Sequence, residues 1–268
     1  MMLINGVAST HISANDRGLA YGDGFFTTAK VVNGKVEFWR DHVERLMRAS
    51  NKFSIELPSL LTLFTEVQTV IAGVELGCLK IVITRGEGGR GYSAQGCDNP
   101  TRLISLSPWP VHYQDWQRDG IHLGVAEFKL GLQPYLAGYK TLNRFEQVLI
   151  KQELNALEYD DLIVCDINDH VIEASAGNLF WFTEGTLYTP ELSQTGVAGI
   201  MRKQVLQRAE QKAIPVALVK TDIVQLEYCE AMFITNALMG IVPIKQFQQR
   251  LFSDFSLVQA LQQEIKDD

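Results

Sequence analysis

Apolar runs of strand length recur along the chain, but helical patterns do not alternate with them one for one. That irregular order is the strongest constraint on the fold. Strand-like segments are "LIN", "FFTTAKVV", "KIVITR", "RLISLSPW", "IHLGVAEF", "LIVCDI", "VIEASAGNLFWF" and "AMFITNA". Helical patterns fall among them. In "FWRDHVERLMRASNKF", Val43, Leu46 and Met47 share a face, and "PSLLTLFTEVQTVIAG" opens on a proline suited to a first turn. After Lys140, "LNRFEQVLIKQELNAL" puts Leu142, Phe145 and Leu149 on one stripe, and "GIMRKQVLQRAEQKA" and "SLVQALQQEIK" read likewise. The mixture predicts an α+β protein. Two prolines and several polar residues in "SPWPVHYQDWQRDG" break the pattern, so two domains are expected. These are a smaller N-terminal α/β domain over 1–108, a linker over 109–120 and a larger domain over 121–268.

Composition narrows the partners. The 24 basic and 31 acidic residues give a net charge of −7 without long runs of either sign, which argues against nucleic acid and for a small-molecule substrate. No apolar stretch is long enough to span a membrane, and the N-terminus lacks the pattern of a secretory signal, so a cytoplasmic protein is expected. Cys78, Cys97, Cys165 and Cys229 are scattered without paired spacing, which suggests neither a disulfide framework nor a metal site. His11, His112, His122 and His170 show no ligand spacing and read as structural or exposed.

Six stretches carry candidate chemistry. In "RGEGGRGY", Gly86, Gly88 and Gly91 match G-x-G-x-x-G directly after a strand. The turn formers that follow, in place of a helix, argue against a dinucleotide site. The loop is then either a mobile glycine connection or a place where Arg85 and Arg90 present guanidinium groups to a substrate carboxylate. Lys140 follows "PYLAGY", an apolar context in which a lysine amine can act covalently. Were it to hold pyridoxal phosphate, a carboxylate for the ring nitrogen and donors for the phosphate are needed. Glu173 lies in an apolar strand, where it either faces solvent or meets a positive partner. Gly196 and Gly199 precede a helix whose first amides suit a phosphate, and Asn236 and Ala237 form a second small-residue turn. Arg45, three residues after His42 on one helix face, is a phosphate clamp or a surface residue.

In order along the chain, "LING", "DRGLAYGDGFFTTAKV", "HVERL", "ITRGEGGRGYS", "AGYKTLNRFEQVLI", "EASAGNLFW", "YTPELSQTGVAGIMR" and "NALMGIVPI" resemble the fold-type IV pyridoxal-phosphate enzymes. That family includes branched-chain and D-amino-acid aminotransferases and aminodeoxychorismate lyases. The resemblance implies a two-domain, D-amino-acid-aminotransferase-like fold and a homodimer with pyridoxal 5'-phosphate as cofactor. It makes Lys140 the Schiff-base lysine and general base, Glu173 the partner of the pyridine nitrogen, and Arg45 a phosphate ligand. Ile200 and Met201 amides, with the turn at Asn236 and Ala237, complete the phosphate cup. "RGEGGRGY" and "LNR" resemble the lyase branch more than the aminotransferases, which implies elimination of pyruvate, with Arg90 and Tyr92 as substrate-carboxylate contacts and Thr28 near the reacting carbon. Phe25 and Gly240 stand at positions where other residues are expected to be tolerated. Three rivals remain: an aminotransferase, a nicotinamide oxidoreductase using the glycine loop, and a non-catalytic binding module.

Overall fold

A computed structural model describes residues 1–265. The end of the expected C-terminal domain, with Lys266 of its last expected helix, lies outside the described residues. The chain divides into two compact units, Met1–Trp109 with Lys140–Asn143, and Pro110–Tyr139 with Arg144 onward.

In the first unit, the strands are β1 (Met2–Ile4), β2 (Val7–Ala8), β3 (Gly24–Val32), β4 (Lys35–Val36), β5 (Leu76–Thr84) and β6 (Thr101–Ser107). They form one antiparallel sheet in the order β2-β1-β6-β5-β3-β4. Its helices are α1 (Arg17–Tyr21), α2 (Trp39–Phe53) and α3 (Leu60–Ile71). Side chains alternate across a strand, so β3 buries Phe25, Thr27, Ala29 and Val31 on one face. Register places Ile83, Ile81 and Leu79 of β5 opposite the first three of these. Onto this layer α2 lays His42, Leu46 and Ala49, and α3 lays Leu63, Val67 and Val70. The stripe expected on α2 is therefore offset: Leu46 is its centre, while Met47 is exposed. The start of α3 also differs from expectation. Ser59 Oγ accepts from Thr62 N at 3.0 Å and caps the helix, leaving the proline ahead of the first turn.

The second unit contains α4 (His112–Asp119), β7 (Ile121–Val125), α5 (Phe145–Leu154), β8 (Asp161–Cys165), β9 (Val171–Ala174), β10 (Asn178–Thr183) and β11 (Thr186–Pro190). It continues with α6 (Ile200–Gln211), β12 (Val216–Val219), a 3-10 turn over Ile223–Tyr228, β13 (Ala231–Asn236), β14 (Gly240–Phe247), β15 (Arg250–Leu251) and α7 (Ser256–Glu264). A mixed sheet runs β12-β11-β10-β13-β14-β7-β8-β9, with β15 on β14. Both faces of β10 and β13 are covered. Leu179, Trp181, Met232 and Ile234 enter one core, and Phe180, Phe182 and Phe233 enter another beneath α6 and α7. Two dry faces demand apolar residues at consecutive positions, which explains the unbroken runs in these strands.

Several expectations need correction. Residues 112–119 of the expected linker are helix α4, because Tyr113 and Trp116 pack on the core beside β7 and β14. "VIEASAGNLFWF" is two strands joined by a turn at Ser175–Gly177. On α5 the buried residues are Ile150 and Leu154, and Phe145 is 74% exposed. Lys140 does not cluster with the larger unit. Phe26 N donates to Lys140 O at 3.0 Å and Leu142 N donates to Gly24 O at 3.0 Å, so this short segment joins the free edge of β3. Phe25 is a fully buried core residue, so substitution there is costly. Gly240 has φ 64°, which excludes proline and strains any larger side chain.

The stacked rings of Phe180 and Phe233, with centroids 5.0 Å apart, anchor the core under α6 and α7. Phe233→Ala is expected to lower unfolding stability by about 3–5 kcal/mol, read from the urea midpoint.

Candidate active site

The sequence-derived site residues are divided between the two units. In the first, Thr141 bridges antiparallel to Phe25. Alternation then sets Lys140 on the same face as Phe26, and its Nζ lies 4.7 Å from the Phe26 ring centroid. Thr28 shares that face of β3, and Lys80, its partner on β5, also places Nζ 5.0 Å from the Phe26 ring. Thr141 points the other way and is buried.

The opposite face of β3 meets α2. Thr27 Oγ1 and His42 Nδ1 are 2.6 Å apart, and His42 Nε2 is buried without a hydrogen bond. Burial, helped by the nearby charge of Arg45, pushes the His42 imidazole down to about 3. Arg45 is half-buried one turn further on. Burial, and then repulsion from Arg48, pulls its guanidinium down to about 10. A dianionic phosphate is the kind of partner that offsets such a cost.

In the second unit, Glu173 is a buried carboxylate on β9. Its Oε2 accepts from Val197 N at 2.9 Å. Val197 forms a bridge with Gly138, and Gly138 N donates to Gly196 O at 2.9 Å. Two residues further along the chain comes Lys140. Asn178, the first residue of β10, holds the same turn from both sides: Nδ2 donates to Val197 O at 2.8 Å and Oδ1 accepts from Gly199 N at 3.0 Å. The turn delivers the chain into α6 with Gly199 as its N-cap and no capping side chain. The amides of Ile200 and Met201 thus head a twelve-residue helix with its positive dipole end uncovered. A Cβ on Gly199 would lie 2.2 Å from Asn178 Oδ1, so the N-cap has no room for a side chain. Nearby, Arg202 is buried, donates from Nη2 to Pro190 O at 2.9 Å, and is pulled down by burial.

Asn236 and Ala237 open the tight turn from β13 to β14. Asn236 uses its own side chain to build that turn: Oδ1 accepts from Leu238 N and Met239 N, and Nδ2 donates to Ala176 O at 2.8 Å. The side chain is therefore committed to shaping the turn, leaving backbone amides as its route to a ligand. Arg144, the last residue of "LNR", donates from Nη2 to Tyr139 O at 3.2 Å. Its charge is disfavoured by burial and favoured by Glu173 and Glu146.

Arg85 and Arg90 part company. Arg85 Nε donates to Asp23 Oδ2 at 2.9 Å, and its other nitrogens hold Ser54 O and Phe53 O at the end of α2. It is a structural clasp, which corrects the expectation that it faces a substrate. Arg90 and Tyr92 lie exposed on the loop between β5 and β6, where no helix follows the glycines. That removes the structural basis of the nicotinamide reading. The loop turns so tightly that a Cβ on Gly86 would lie 2.0 Å from Asn99 O and one on Gly89 2.1 Å from Ser93 O. Reading the sequence missed Asn178, which holds the turn into α6, and the buried Arg202. For Asn178 the signal existed: it is a polar residue opening an apolar run, as Glu173 is inside one.

Residues 24–247 match the amino-transferase class IV family. A Vibrio harveyi aminodeoxychorismate lyase is 38% identical over 244 residues, covering 91% of this chain and 90% of the relative. The solved 4-amino-4-deoxychorismate lyase of Pseudomonas aeruginosa superposes with a TM-score of 0.94 at 33% identity, covering 100% of this chain and 99% of that one. A hypothetical aminotransferase from Mycobacterium tuberculosis in a pyridoxal-phosphate-bound form gives a TM-score of 0.85 at 18% identity, over 98% and 96% of the two chains, a likeness of fold. The protein is thus a fold-type IV enzyme, of the class that works with pyridoxal phosphate. Within that class, the chain belongs to the amino-transferase class IV family.

The residues fit this cofactor. Lys140 supplies an amine, Glu173 a buried carboxylate that suits a protonated ring nitrogen, and the uncapped start of α6 suits a phosphate. Among the described residues no group of side chains could hold a metal ion.

His42 makes a pH prediction. The unfolded imidazole takes its proton near pH 6.5 and the folded one near pH 3, so stability is full above about 6.5 and declines below it. Between pH 6.5 and 5 the loss approaches about 1.4 kcal/mol per pH unit, measured by urea unfolding. His42→Asn is expected to flatten that slope.

Proposed function

We infer that this protein is a pyridoxal-phosphate-dependent lyase that eliminates pyruvate from 4-amino-4-deoxychorismate and leaves 4-aminobenzoate, an aromatic unit of folate. The observation that carries the reading is the 38% identity to an aminodeoxychorismate lyase across nine-tenths of both chains. The exposed Arg90 and Tyr92 on a loop of fixed shape support it, as groups able to meet the carboxylates of such a substrate. A homodimer acting in the cytoplasm belongs to the same proposal. The resemblance to fold-type IV enzymes supports the dimer, and four free buried cysteines suit a reducing compartment.

Pyridoxal phosphate, when bound, supplies an electron sink that acidifies the C–H beside the substrate amine. Arg45, the amides of Ile200 and Met201, and the turn at Asn236 and Ala237 would hold its phosphate. Glu173 would pair with the ring nitrogen and favour its protonated form, a role suited to a carboxylate already dried and oriented by Val197 N–H. Lys140 holds the cofactor at rest. Displaced by the substrate amine, it takes the proton from the substrate carbon. The electron pair of that C–H bond becomes the third double bond of the substrate's own six-membered ring as the neighbouring C–O bond breaks, so that ring becomes aromatic and the enolpyruvyl group departs as an enolate carrying the C–O electron pair. Lys140 then returns a proton to the methylene carbon of the leaving group, which becomes pyruvate. Arg90 and Tyr92 bind substrate carboxylates, and Thr28 lies at the reacting carbon.

Three measurements test this. Borohydride treatment of the yellow protein is expected to fix the cofactor mass on the peptide holding Lys140, and Lys140→Ala is expected to lose both that label and turnover. An unlabelled Lys140 refutes the assignment. Glu173→Ala is expected to slow turnover by about a hundredfold or more while weakening cofactor binding far less. Pyruvate release from aminodeoxychorismate is expected to exceed amine transfer from D-alanine or a branched-chain amino acid, and the reverse ranking makes the enzyme an aminotransferase.

A further inference from the structure

The glycine loop that carries Arg90 and Tyr92 is held by one side chain. Arg17 is 4% exposed, a guanidinium almost wholly removed from water. Its Nη1 donates to Gly91 O and to Ser93 O, each at 3.0 Å, and its Nη2 donates to Tyr92 O at 3.1 Å. Three successive backbone carbonyls, those on either side of Tyr92 included, therefore converge on a single planar fork. The fork is itself oriented, since Nε donates to Asp23 Oδ2 at 2.8 Å. That hydrogen bond, more than its Coulomb attraction, raises the guanidinium above its usual range against the effect of burial.

The support extends outward from Arg17. Arg17 N donates to Gly86 O at 2.9 Å, and Asp16 bridges to Glu87, so α1 also grips the start of the loop. Asp16 is fully buried, caps α1 through Gly18 N at 2.7 Å and accepts from Thr84 Oγ1 at 2.9 Å at the end of β5. Tyr21, at the end of α1, lies beneath the Arg17 guanidinium at 4.9 Å, and its ring meets that of Tyr92 at 5.4 Å. Tyr92 itself is 88% exposed, so its position is owed to its backbone and to Tyr21, not to a surrounding core.

We propose that Arg17 is a positioning residue for substrate recognition: by fixing the Gly91–Tyr92–Ser93 carbonyls it presets the direction of Arg90 and Tyr92. This rests on the reading above that Arg90 and Tyr92 meet the substrate carboxylates. The physical reason is preorganisation. A glycine-rich loop has many accessible conformations, and holding it before substrate arrives removes that ordering cost from binding. Only an arginine can do this. A lysine at the same place keeps the charge toward Asp23 but presents a single ammonium, which cannot span three carbonyls in fork geometry. Effects are therefore expected on substrate capture, with the cofactor's chemistry unaltered.

The experiment uses the cofactor-loaded enzyme in three versions: Arg17→Lys, Tyr21→Ala and Arg90→Ala. Amide hydrogen exchange over residues 86–93, read without substrate, reports the clamp directly. Exchange is expected to accelerate in Arg17→Lys and, less strongly, in Tyr21→Ala, whose exposed position protects the fold. Steady-state pyruvate release is expected to show KM raised on the order of tenfold in Arg17→Lys and by a few-fold in Tyr21→Ala, since each lost hydrogen bond is worth a few-fold in binding. The cofactor's visible absorbance is expected to be unchanged and kcat nearly so. Arg90→Ala separates the two claims. If it leaves KM unchanged, the reading of the loop as a substrate contact fails. If it raises KM while the loosened loop of Arg17→Lys or Tyr21→Ala binds substrate as tightly as before, the positioning role is overturned. Unchanged exchange in both clamp variants overturns it too.

Discussion

The backbone pairing of residues 140–142 with the edge of β3 is the constraint from which the place of Lys140 follows. β4 covers β3 only at Val31 and Val32, so the other end of that edge has unpaired amides and carbonyls. Lys140 and Leu142 supply the missing partners. Because side chains alternate across a strand, the register that puts Thr141 into the core puts Lys140 beside Phe26 on the opposite face. A slip of one residue would bury the ammonium and expose the threonine, which the packed face of β3 forbids. The amine thus owes its place to main-chain hydrogen bonds, a determinant more rigid than any contact its long side chain makes.

The second unit sets polar groups where its sheet otherwise demands apolar ones. Glu173, Asn178 and Thr235 are all buried within strands whose neighbours are Val, Ile, Leu and Phe. Each has structural work. Asn178 clamps the turn ahead of α6, Thr235 Oγ1 donates to Gly240 O at 2.6 Å and secures the β13–β14 turn, and Glu173 receives Val197 N–H. Since the turn into α6 and the turn from β13 to β14 are closed by these residues, the shape of the turns and the burial of the carboxylate are coupled. Beside that neutral amide, the nearby charge of Arg144 helps to offset the desolvation of the carboxylate.

Long-range pairing explains what the sequence could and could not disclose. Alternation in β3 and the unbroken runs of β10 and β13 were legible because one dry face, or two, dictates the residue type at each step. The short strands β11 and β12 were not legible, since each is only partly buried and carries no pattern at its length. The helical character of α4 was masked by the two prolines ahead of it and the polar residues along it, although Tyr113 and Trp116 pack on the core. Lys140, Glu173 and the start of α6 stood out as chemistry in unusual surroundings. The allegiance of Lys140 to the first unit did not, because it arises from pairing with residues more than a hundred positions earlier.

The glycine loop shows how a motif misleads when its mechanism is left out. In a dinucleotide site such glycines let the backbone approach a pyrophosphate at a helix N-terminus. Here they let the backbone approach itself, with Asn99 O and Ser93 O where side chains would otherwise stand, and Arg17 filling the loop's interior. The same fold serves a hypothetical aminotransferase, so sheet and helices alone do not decide between amine transfer and elimination. Choice of reaction must then lie in what surrounds a common cofactor, and loops tolerate the sequence change that a packed strand refuses. A loop whose shape is fixed by one buried arginine can vary its outward residues, Arg90 and Tyr92, without disturbing the sheet that carries it.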